Sequence, residues 1–290
     1  MRHHNFQPLR SIVMQVVVTT LLLALPLLAP HQSYATWDEE KKLKIQISNA
    51  QERVNAHSLS RRISNLQSFK NRSSWENQWK TARWVVDQLE DAGLEPFIQK
   101  YQFNEKTWPN VGARLKGRKN PEQIVMLLAH LDSKAHGGGG IAPGADDNAS
   151  GVAVLLEIAG ILRKTALERS VYFMFFSNEE QNLAGSKHYA RLAKRDSLDI
   201  RAAINLDVLG YNRPLRPISL EPVRAHSSLK YKAKSIIRMC RNYVVGIARG
   251  KDIVKLVGRD ANRNLALTTS RIMGEFSGLE SEAVIGEDCG

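Results

Sequence analysis

Short apolar runs alternate with helix-like segments along most of the chain. Residues 123–129, 170–176 and 200–206 are nearly continuous apolar runs, the pattern of strands buried inside a sheet. Between them, residues 152–162 and 183–193 have the length and composition of helices. This alternation predicts an α/β fold with a mixed, mostly parallel β-sheet and helices on both faces, that is, an α/β/α sandwich.

The part of the chain before these runs is predicted to begin with helices. Residues 37–66 carry apolar side chains at roughly helical spacing, and the polar residues 71–74 interrupt that pattern. Residues 75–92 form a second predicted helix, which Gly93 closes. Two extended segments, at residues 95–103 and 111–116, are predicted to follow.

The first 35 residues have the pattern of a secretory signal peptide. A basic start is followed by an apolar stretch over residues 12–30 and by a small-x-small cleavage signal that ends at Ala35. An uncleaved membrane anchor is the minor alternative, because the apolar stretch is just long enough to span a bilayer. We expect an exported protein, periplasmic or extracellular, with no membrane span after cleavage.

These patterns divide the chain into three parts. We expect a signal peptide over residues 1–35, an N-terminal helical segment over residues 36–74, and one α/β domain over residues 75–290. A chain of this length is sufficient to build one large α/β domain with its own core.

The chain is basic, with a formal net charge of +12. Its Lys and Arg residues are mostly scattered between acidic residues, without an arginine-rich arm or a ribbon of alternating aromatic and basic residues. A solvated basic surface explains this pattern better than nucleic-acid binding does, so we expect no nucleic-acid partner. Attraction to an anionic cell wall or lipid surface stays open.

Imidazole and carboxylate side chains stand where the predicted strands end. Because ligand crevices form at the carboxyl ends of parallel strands, side chains at these ends are expected to converge on one crevice. Imidazole and carboxylate groups are ligands for divalent metal ions, so the pattern indicates a metal-dependent hydrolase. The residues that follow the three strands or open the intervening helix are His130, Asp132, Asp147, Glu179, Glu180 and Asp207.

Each of these clusters, taken alone, has an ordinary structural explanation. His130 and Asp132 can be satisfied by routine hydrogen bonds, and Asp147 stands where a helix cap is expected. Glu179 and Glu180 can lie in a solvated turn, although two neighbouring acids favour a cation between them. The metal-site interpretation therefore depends on the combination and order of the clusters.

In that order the motifs strongly resemble those of the M28 family of zinc aminopeptidases. The similar stretch runs from about Trp75 to the end of the chain. It contains HLDS at residues 130–133, PGADDNASG at 143–151, SNEEQ at 177–181 and NLDVLGY at 205–211. The combination is far more specific than any of its members.

The resemblance implies a set of metal ligands and two bound zinc ions. His130, Asp147 and Asp207 would hold one zinc ion. Asp147 would bridge to a second zinc ion, which Glu180 also binds.

The resemblance also implies roles for residues that do not bind metal. Glu179 would be the general base, and Asp132 would orient the imidazole of His130. The peptide bond between Asp147 and Asn148 would be cis.

One family feature has no counterpart in this sequence. The family supplies a further zinc-ligand histidine from a C-terminal Ser-Asp-His region, whereas this chain ends at EAVIGEDCG, residues 282–290. His188 and His226 lie in helical patterns and do not match it. We therefore expect a C-terminally incomplete sequence that lacks the last strand and helix of the fold.

The expected function is that of an exported zinc-dependent exopeptidase of aminopeptidase type, with peptides as substrates. A glutaminyl cyclase and a carboxypeptidase of the same fold remain alternatives. A non-catalytic binding module is a third alternative, because the last zinc-ligand histidine is absent. The terminal residue removed and the oligomeric state stay open.

Overall fold

The computed structural model of the protein describes residues 45–46, 48–50, 52–135, 140–209, 244–247, 249–250, 253–259 and 280–286. The predicted signal peptide lies outside the described residues. Within the described part of the chain, no helix has the combined length and apolar character that crossing a bilayer requires. That the sequence ends before the last strand and helix of the fold stays a prediction.

The regular elements alternate as the sequence pattern predicts. The helices are α1 (Ala56–Ser68), α2 (Trp75–Asp91), α3 (Gly151–Leu162) and α4 (Ala184–Arg195). The strands are β1 (Pro96–Phe103), β2 (Lys106–Leu115), β3 (Asn120–His130), β4 (Arg169–Phe176), β5 (Asp199–Leu206), β6 (Val244–Ile247), β7 (Arg249–Gly250), β8 (Ile253–Arg259) and β9 (Glu280–Gly286).

A six-stranded mixed sheet forms the centre of the fold, in the order β1-β2-β4-β3-β5-β6. Strands β4, β3, β5 and β6 are mutually parallel. At one side of the sheet, β2 pairs antiparallel with β4, and β1 pairs antiparallel with β2. Strands β7, β8 and β9 form a second, three-stranded sheet. The prediction of a mixed, mostly parallel sheet is confirmed.

Helices cover both faces of the sheet. The side chains of β3 point alternately to the two faces, and each face is apolar and packs in its own core. Val125, Leu127 and Ala129 belong to a core that also contains residues of α1, α2 and α3. Met126 and Leu128 belong to a smaller core on the opposite face, which α4 completes. Burying each such side chain contributes roughly 1.5–3 kcal/mol, so both faces favour this register.

The helix predicted over residues 37–66 is interrupted in the structure: described residues between 45 and 53 are helical, and α1 begins only at Ala56. A single helix over residues 37–66 is wrong, because the backbone is non-helical at Val54 and Asn55. The Asn55 side chain accepts hydrogen bonds from the amides of His57 and Ser58, which makes it the N-cap of α1. The Asn55 amide is held by Glu157 of α3 at 2.8 Å.

Strand β2 begins earlier than the sequence pattern predicts. The predicted extended segment starts at Val111, whereas β2 starts at Lys106 and includes Pro109. Proline lacks a backbone N–H donor, so in a sequence it argues against a central strand. Here Pro109 pairs with β1, and β2 pairs with β4 only from Val111 onward, so Pro109 lies where β2 has one partner strand.

Candidate metal centre

Three predicted ligands converge at the carboxyl end of the parallel strands. His130 is the last residue of β3, Asp207 directly follows β5, and Asp147 lies in the turn before α3. His130 Nε2 lies 3.0 Å from Asp147 Oδ1 and 3.4 Å from Asp207 Oδ1. All three ligand atoms lie within 4.8 Å of one another. This is the convergence that the strand-end pattern predicts.

The imidazole of His130 is buried beside three carboxylates. Only 3% of its side chain is exposed, and neither ring nitrogen makes a hydrogen bond of good geometry. Burial alone lowers the pKa of His130, but Asp132, Asp147 and Asp207 outweigh it and raise that pKa well above its ordinary value. A buried ring nitrogen without a hydrogen bond, aimed at two carboxylate oxygens, is costly unless a cation or proton lies between them.

The distances from the His130 ring nitrogen to the two carboxylates fit zinc. Nitrogen and oxygen ligands bind zinc at about 2.0–2.2 Å in tetrahedral geometry, which places them roughly 3.3 Å from one another. The separations of 3.0 and 3.4 Å from His130 Nε2 to the two carboxylates bracket that value. The donor set of one imidazole and two carboxylates is also one that zinc accepts.

Asp132 lies between the histidine and the predicted general base. Its Oδ1 is 3.5 Å from His130 Nδ1, and its side chain is buried. Its two oxygens also accept the backbone amides of Glu179, at 2.9 Å, and Glu180, at 3.0 Å. One carboxylate thus lies beside Nδ1 of the imidazole, where a group that orients a metal-binding histidine is found, and also fixes the loop after β4.

The structure places Glu179 and Glu180 at the same edge of the sheet as the three converging residues. Both residues are half-buried in the turn that follows β4. Within the described residues, the compact group of ligand atoms contains His130, Asp147 and Asp207 and does not include the carboxylate of Glu180. The metal-binding role of Glu180 and the base role of Glu179 remain predictions.

A buried network of polar side chains holds the backbone directly before the turn of Glu179 and Glu180. Asn178, whose backbone is left-handed at φ +54°, forms reciprocal hydrogen bonds with the side-chain amide of Gln78 at 2.9 and 3.1 Å. Asn178 also donates to the hydroxyl of Tyr101 at 2.8 Å, and Ser177 donates its amide to Asn110 at 3.0 Å. Elements α2, β1 and β2 therefore fix the backbone that leads into Glu179.

The turn that carries Asp147 is tied to the end of β5. The peptide bond between Asp147 and Asn148 is cis, which confirms the expectation from the resemblance. The Asn148 side chain donates to the Leu206 carbonyl at 2.8 Å and accepts the Gly151 amide at 2.9 Å. Because Leu206 precedes Asp207, this contact links the turn of Asp147 to the strand end that carries Asp207.

The backbone directly after Asp207 adopts an unfavourable conformation. Val208 has φ of +54°, a region that β-branched residues rarely occupy and that costs of order 1–3 kcal/mol. The next amide, of Leu209, donates to the hydroxyl of Ser150 at 3.0 Å, which helps to hold this geometry. Such strain is common where side chains are held for function.

Several supporting residues have no counterpart in the sequence-based prediction. Their side chains are polar, and they lie in segments whose composition indicates loops or ordinary helix surfaces. In the sequence, Asn178 is distinguished only by its position directly before Glu179, and Ser150 only by its place in the PGADDNASG motif. The residues missed are Arg72, Gln78, Asn110, Ser150 and Asn178.

Sequence comparisons agree with the geometry. The profile of Peptidase family M28 matches residues 110–254, which is half of the chain. A protein of Pyrenophora teres f. teres named "Probable zinc metalloprotease" is 39% identical over 106 residues, covering 36% of this chain and 23% of that protein. An "Aminopeptidase" of Pseudomonas aeruginosa is 42% identical over 94 residues, covering 32% of this chain and 17% of that protein.

A longer but weaker match comes from a third relative. A "Probable zinc metalloprotease" of Phaeosphaeria nodorum is 27% identical over 231 residues, covering 63% of this chain and 47% of that protein. The chain therefore spans less than half the length of each of these three curated relatives.

Solved structures share the fold. The Legionella pneumophila LapA aminopeptidase superimposes with a TM-score of 0.60 at 18% identity, covering 89% of this chain and 60% of that chain. LapB of the same organism superimposes with a TM-score of 0.58 at 19% identity, covering 90% of this chain and 66% of that chain. At these identities the likeness concerns the fold.

Proposed function

The chain belongs to peptidase family M28, and from this we propose that it is a zinc-dependent exopeptidase of aminopeptidase type. The observation that carries the proposal is the convergence of His130, Asp147 and Asp207 within 4.8 Å. We assign these three residues to one zinc ion. A second zinc ion would share Asp147 and would also be bound by Glu180.

The proposed reaction is hydrolysis of the peptide bond that follows the N-terminal residue. Zinc held by these residues would lower the pKa of a water molecule and polarise the scissile carbonyl. The chain's own residues hold the ligands in place: Asp132 contacts the Nδ1 side of His130, and Asn148 ties the turn of Asp147 to β5.

We assign the proton transfers to the carboxylate of Glu179. It takes a proton from the attacking water as the water oxygen bonds to the carbonyl carbon. It then delivers that proton to the leaving nitrogen as the carbon–nitrogen bond breaks, which releases one amino acid and a shortened peptide. The amide of Glu179 is fixed by Asp132 at 2.9 Å, which supports a constant position for this carboxylate.

Substrates that differ at their termini test the reaction class. We expect the full-length protein with added zinc to release amino acids from aminoacyl amides and from free peptides. N-acetylated peptides should be cleaved much more slowly, because a free amine near the metal ions is part of the proposed recognition. Release of C-terminal residues from N-acetylated peptides would indicate a carboxypeptidase, and cyclisation of N-terminal glutamine would indicate a cyclase. Zinc binding without turnover of any of these would indicate a binding module.

We also propose that the protein is exported by its first 35 residues. The support is the basic start, apolar stretch and small-x-small motif that end at Ala35. N-terminal sequencing of the protein from its native host should find Thr36 as the first residue. A mature chain that starts at Met1 or Arg2 would contradict the signal peptide.

A further inference from the structure

Arg72 is a fully buried arginine beside the candidate metal centre, and none of its side chain is exposed. It lies between α1 and α2, in the segment that the sequence pattern assigns to the N-terminal part, and outside the stretch that the family profile matches. Its guanidinium donates hydrogen bonds to four backbone carbonyls. These belong to Leu66 (3.3 Å), Leu131 (2.9 Å), Pro143 (2.6 Å) and Gly144 (3.0 Å).

Three of these carbonyls, those of Leu131, Pro143 and Gly144, belong to the two segments that carry the candidate ligands His130 and Asp147. Leu131 is the residue between His130 and Asp132. Gly144 begins the turn that contains Asp147, and its carbonyl also accepts the amide of Ala149 at 3.0 Å. One rigid guanidinium therefore bridges the backbone at the end of β3 and the backbone of the turn before α3.

Ser133 makes a second, parallel link between these segments. Its hydroxyl accepts the backbone amide of Arg72 at 3.0 Å and donates to the carbonyl of Ala142 at 2.7 Å. The backbone at Gly144 lies close to both side chains, because a Cβ atom there would be 2.6 Å from Ser133 Cβ and 2.8 Å from an Arg72 nitrogen.

The positive charge of Arg72 is favourable near the carboxylates of the candidate metal centre. Burial lowers its pKa to about 10, while Asp132 and Asp147 act in the opposite direction, so the guanidinium stays protonated at neutral pH. A buried cation near these two carboxylates offsets part of the repulsion between acidic groups gathered in one place.

We propose that Arg72 is a positioning residue of the metal centre, which sets the separation of His130 and Asp147 by binding the backbone beside each. The proposal depends on the zinc site of the proposed function. Arginine is required because its planar fork reaches carbonyls in several directions, whereas lysine offers a single point charge on a flexible stem.

The test compares zinc affinity in the full-length protein and four variants. Arg72→Met removes both the charge and the fork, Arg72→Lys retains the charge, and Ser133→Ala removes the parallel link. Arg62→Met is the matched control, because Arg62 is a largely buried arginine whose partner is Glu157, within α3 and not in the turn before it. Zinc dissociation constants are measured by competition with a chromogenic chelator. The absorption spectrum of the Co²⁺-substituted protein reports the ligand geometry.

We expect zinc affinity to fall about 100-fold in Arg72→Met and about 10-fold in Arg72→Lys, the range found when groups that orient metal ligands are removed. Ser133→Ala should lose roughly 10-fold, and Arg62→Met should stay within about 3-fold of wild type. The Co²⁺ spectrum should change in the first three variants and not in the control.

Wild-type affinity and spectrum in every folded variant at positions 72 and 133 would overturn the role of Arg72. If Arg72→Met does not fold, Arg72→Lys and Ser133→Ala decide the question by the same two readouts. A wild-type protein that binds no zinc would instead refute the proposed function, which separates the two failures.

Discussion

Replacing Asp147 by Asn is expected to abolish tight zinc binding and, with it, peptidase activity. Asn has the shape of Asp but lacks the negative charge, and Asp147 Oδ1 is the carboxylate oxygen nearest to His130 Nε2, at 3.0 Å. In the proposed two-zinc arrangement this residue contacts both ions, so one substitution weakens both sites. The loss of affinity should exceed the roughly 10- to 100-fold that follows when only an orienting group is removed.

Thermal unfolding with and without zinc measures this loss. A ligand at 1,000 times its dissociation constant stabilises the folded state by about 4 kcal/mol. In a domain of this size class that corresponds to a rise in Tm of roughly 8–16 °C. We expect this zinc-induced rise in the wild-type protein and a rise close to zero in Asp147→Asn.

Asp146→Asn is the matched control, because it makes the same change one residue earlier in the same turn. Asp146 is not a member of the converging group, and its hydrogen bond with the Ser150 hydroxyl at 3.2 Å can be kept by an amide oxygen. Its zinc-induced rise in Tm should equal that of the wild type. Equal rises in all three proteins would show that Asp147 is not a zinc ligand.

Replacing Glu179 by Gln is expected to lower kcat by about 10²- to 10⁴-fold while the zinc content stays unchanged. A positioned general base contributes this much to proton transfer, and Gln cannot accept the proton. The backbone should be unaffected, because the Glu179 amide is bound by Asp132 and the preceding Asn178 is bound by Gln78. The loss should therefore appear in kcat rather than in folding or metal content.

Two further variants make the assignment of Glu179 specific. Glu180→Gln should reduce the zinc content, since Glu180 is assigned to the second zinc ion, whereas Glu122→Gln, an exposed change in β3, should alter neither property. Activity of Glu179→Gln within about 10-fold of wild type would refute the base assignment. Loss of zinc in Glu179→Gln together with full zinc in Glu180→Gln would exchange the two roles.

The buried strands were predictable because burial on both faces leaves a simple pattern in the sequence. The apolar runs that became β3, β4 and β5 differ from the observed strands by at most three residues at either end. The order of the strands, in which β4 lies between β2 and β3, depends on pairing across long sequence separations and has no local pattern. The start of β2 was missed for a local reason, since Pro109 resembles a turn residue.

The converging residues of the site were predictable because their chemical types stand at strand ends. Each cluster alone has an ordinary structural explanation, so it was their combination and order that indicated the metal centre. The supporting groups were not predictable. Arg72 is in a polar Asn-Arg-Ser-Ser segment that indicates a surface loop, and its burial results from carbonyls about 60 and 70 residues away. Likewise, Gln78 occupies an ordinary helical position and meets Asn178 only in three dimensions.

Crystals of the full-length protein grown with zinc allow the most direct measurement. Anomalous diffraction recorded just above and below the zinc absorption edge locates the bound ions independently of any assumed ligand. We predict a zinc peak at about 2.0–2.2 Å from His130 Nε2 and from a carboxylate oxygen of both Asp147 and Asp207. Zinc peaks located only elsewhere, or none at saturating zinc, would contradict the conclusion that these three residues share a metal ion.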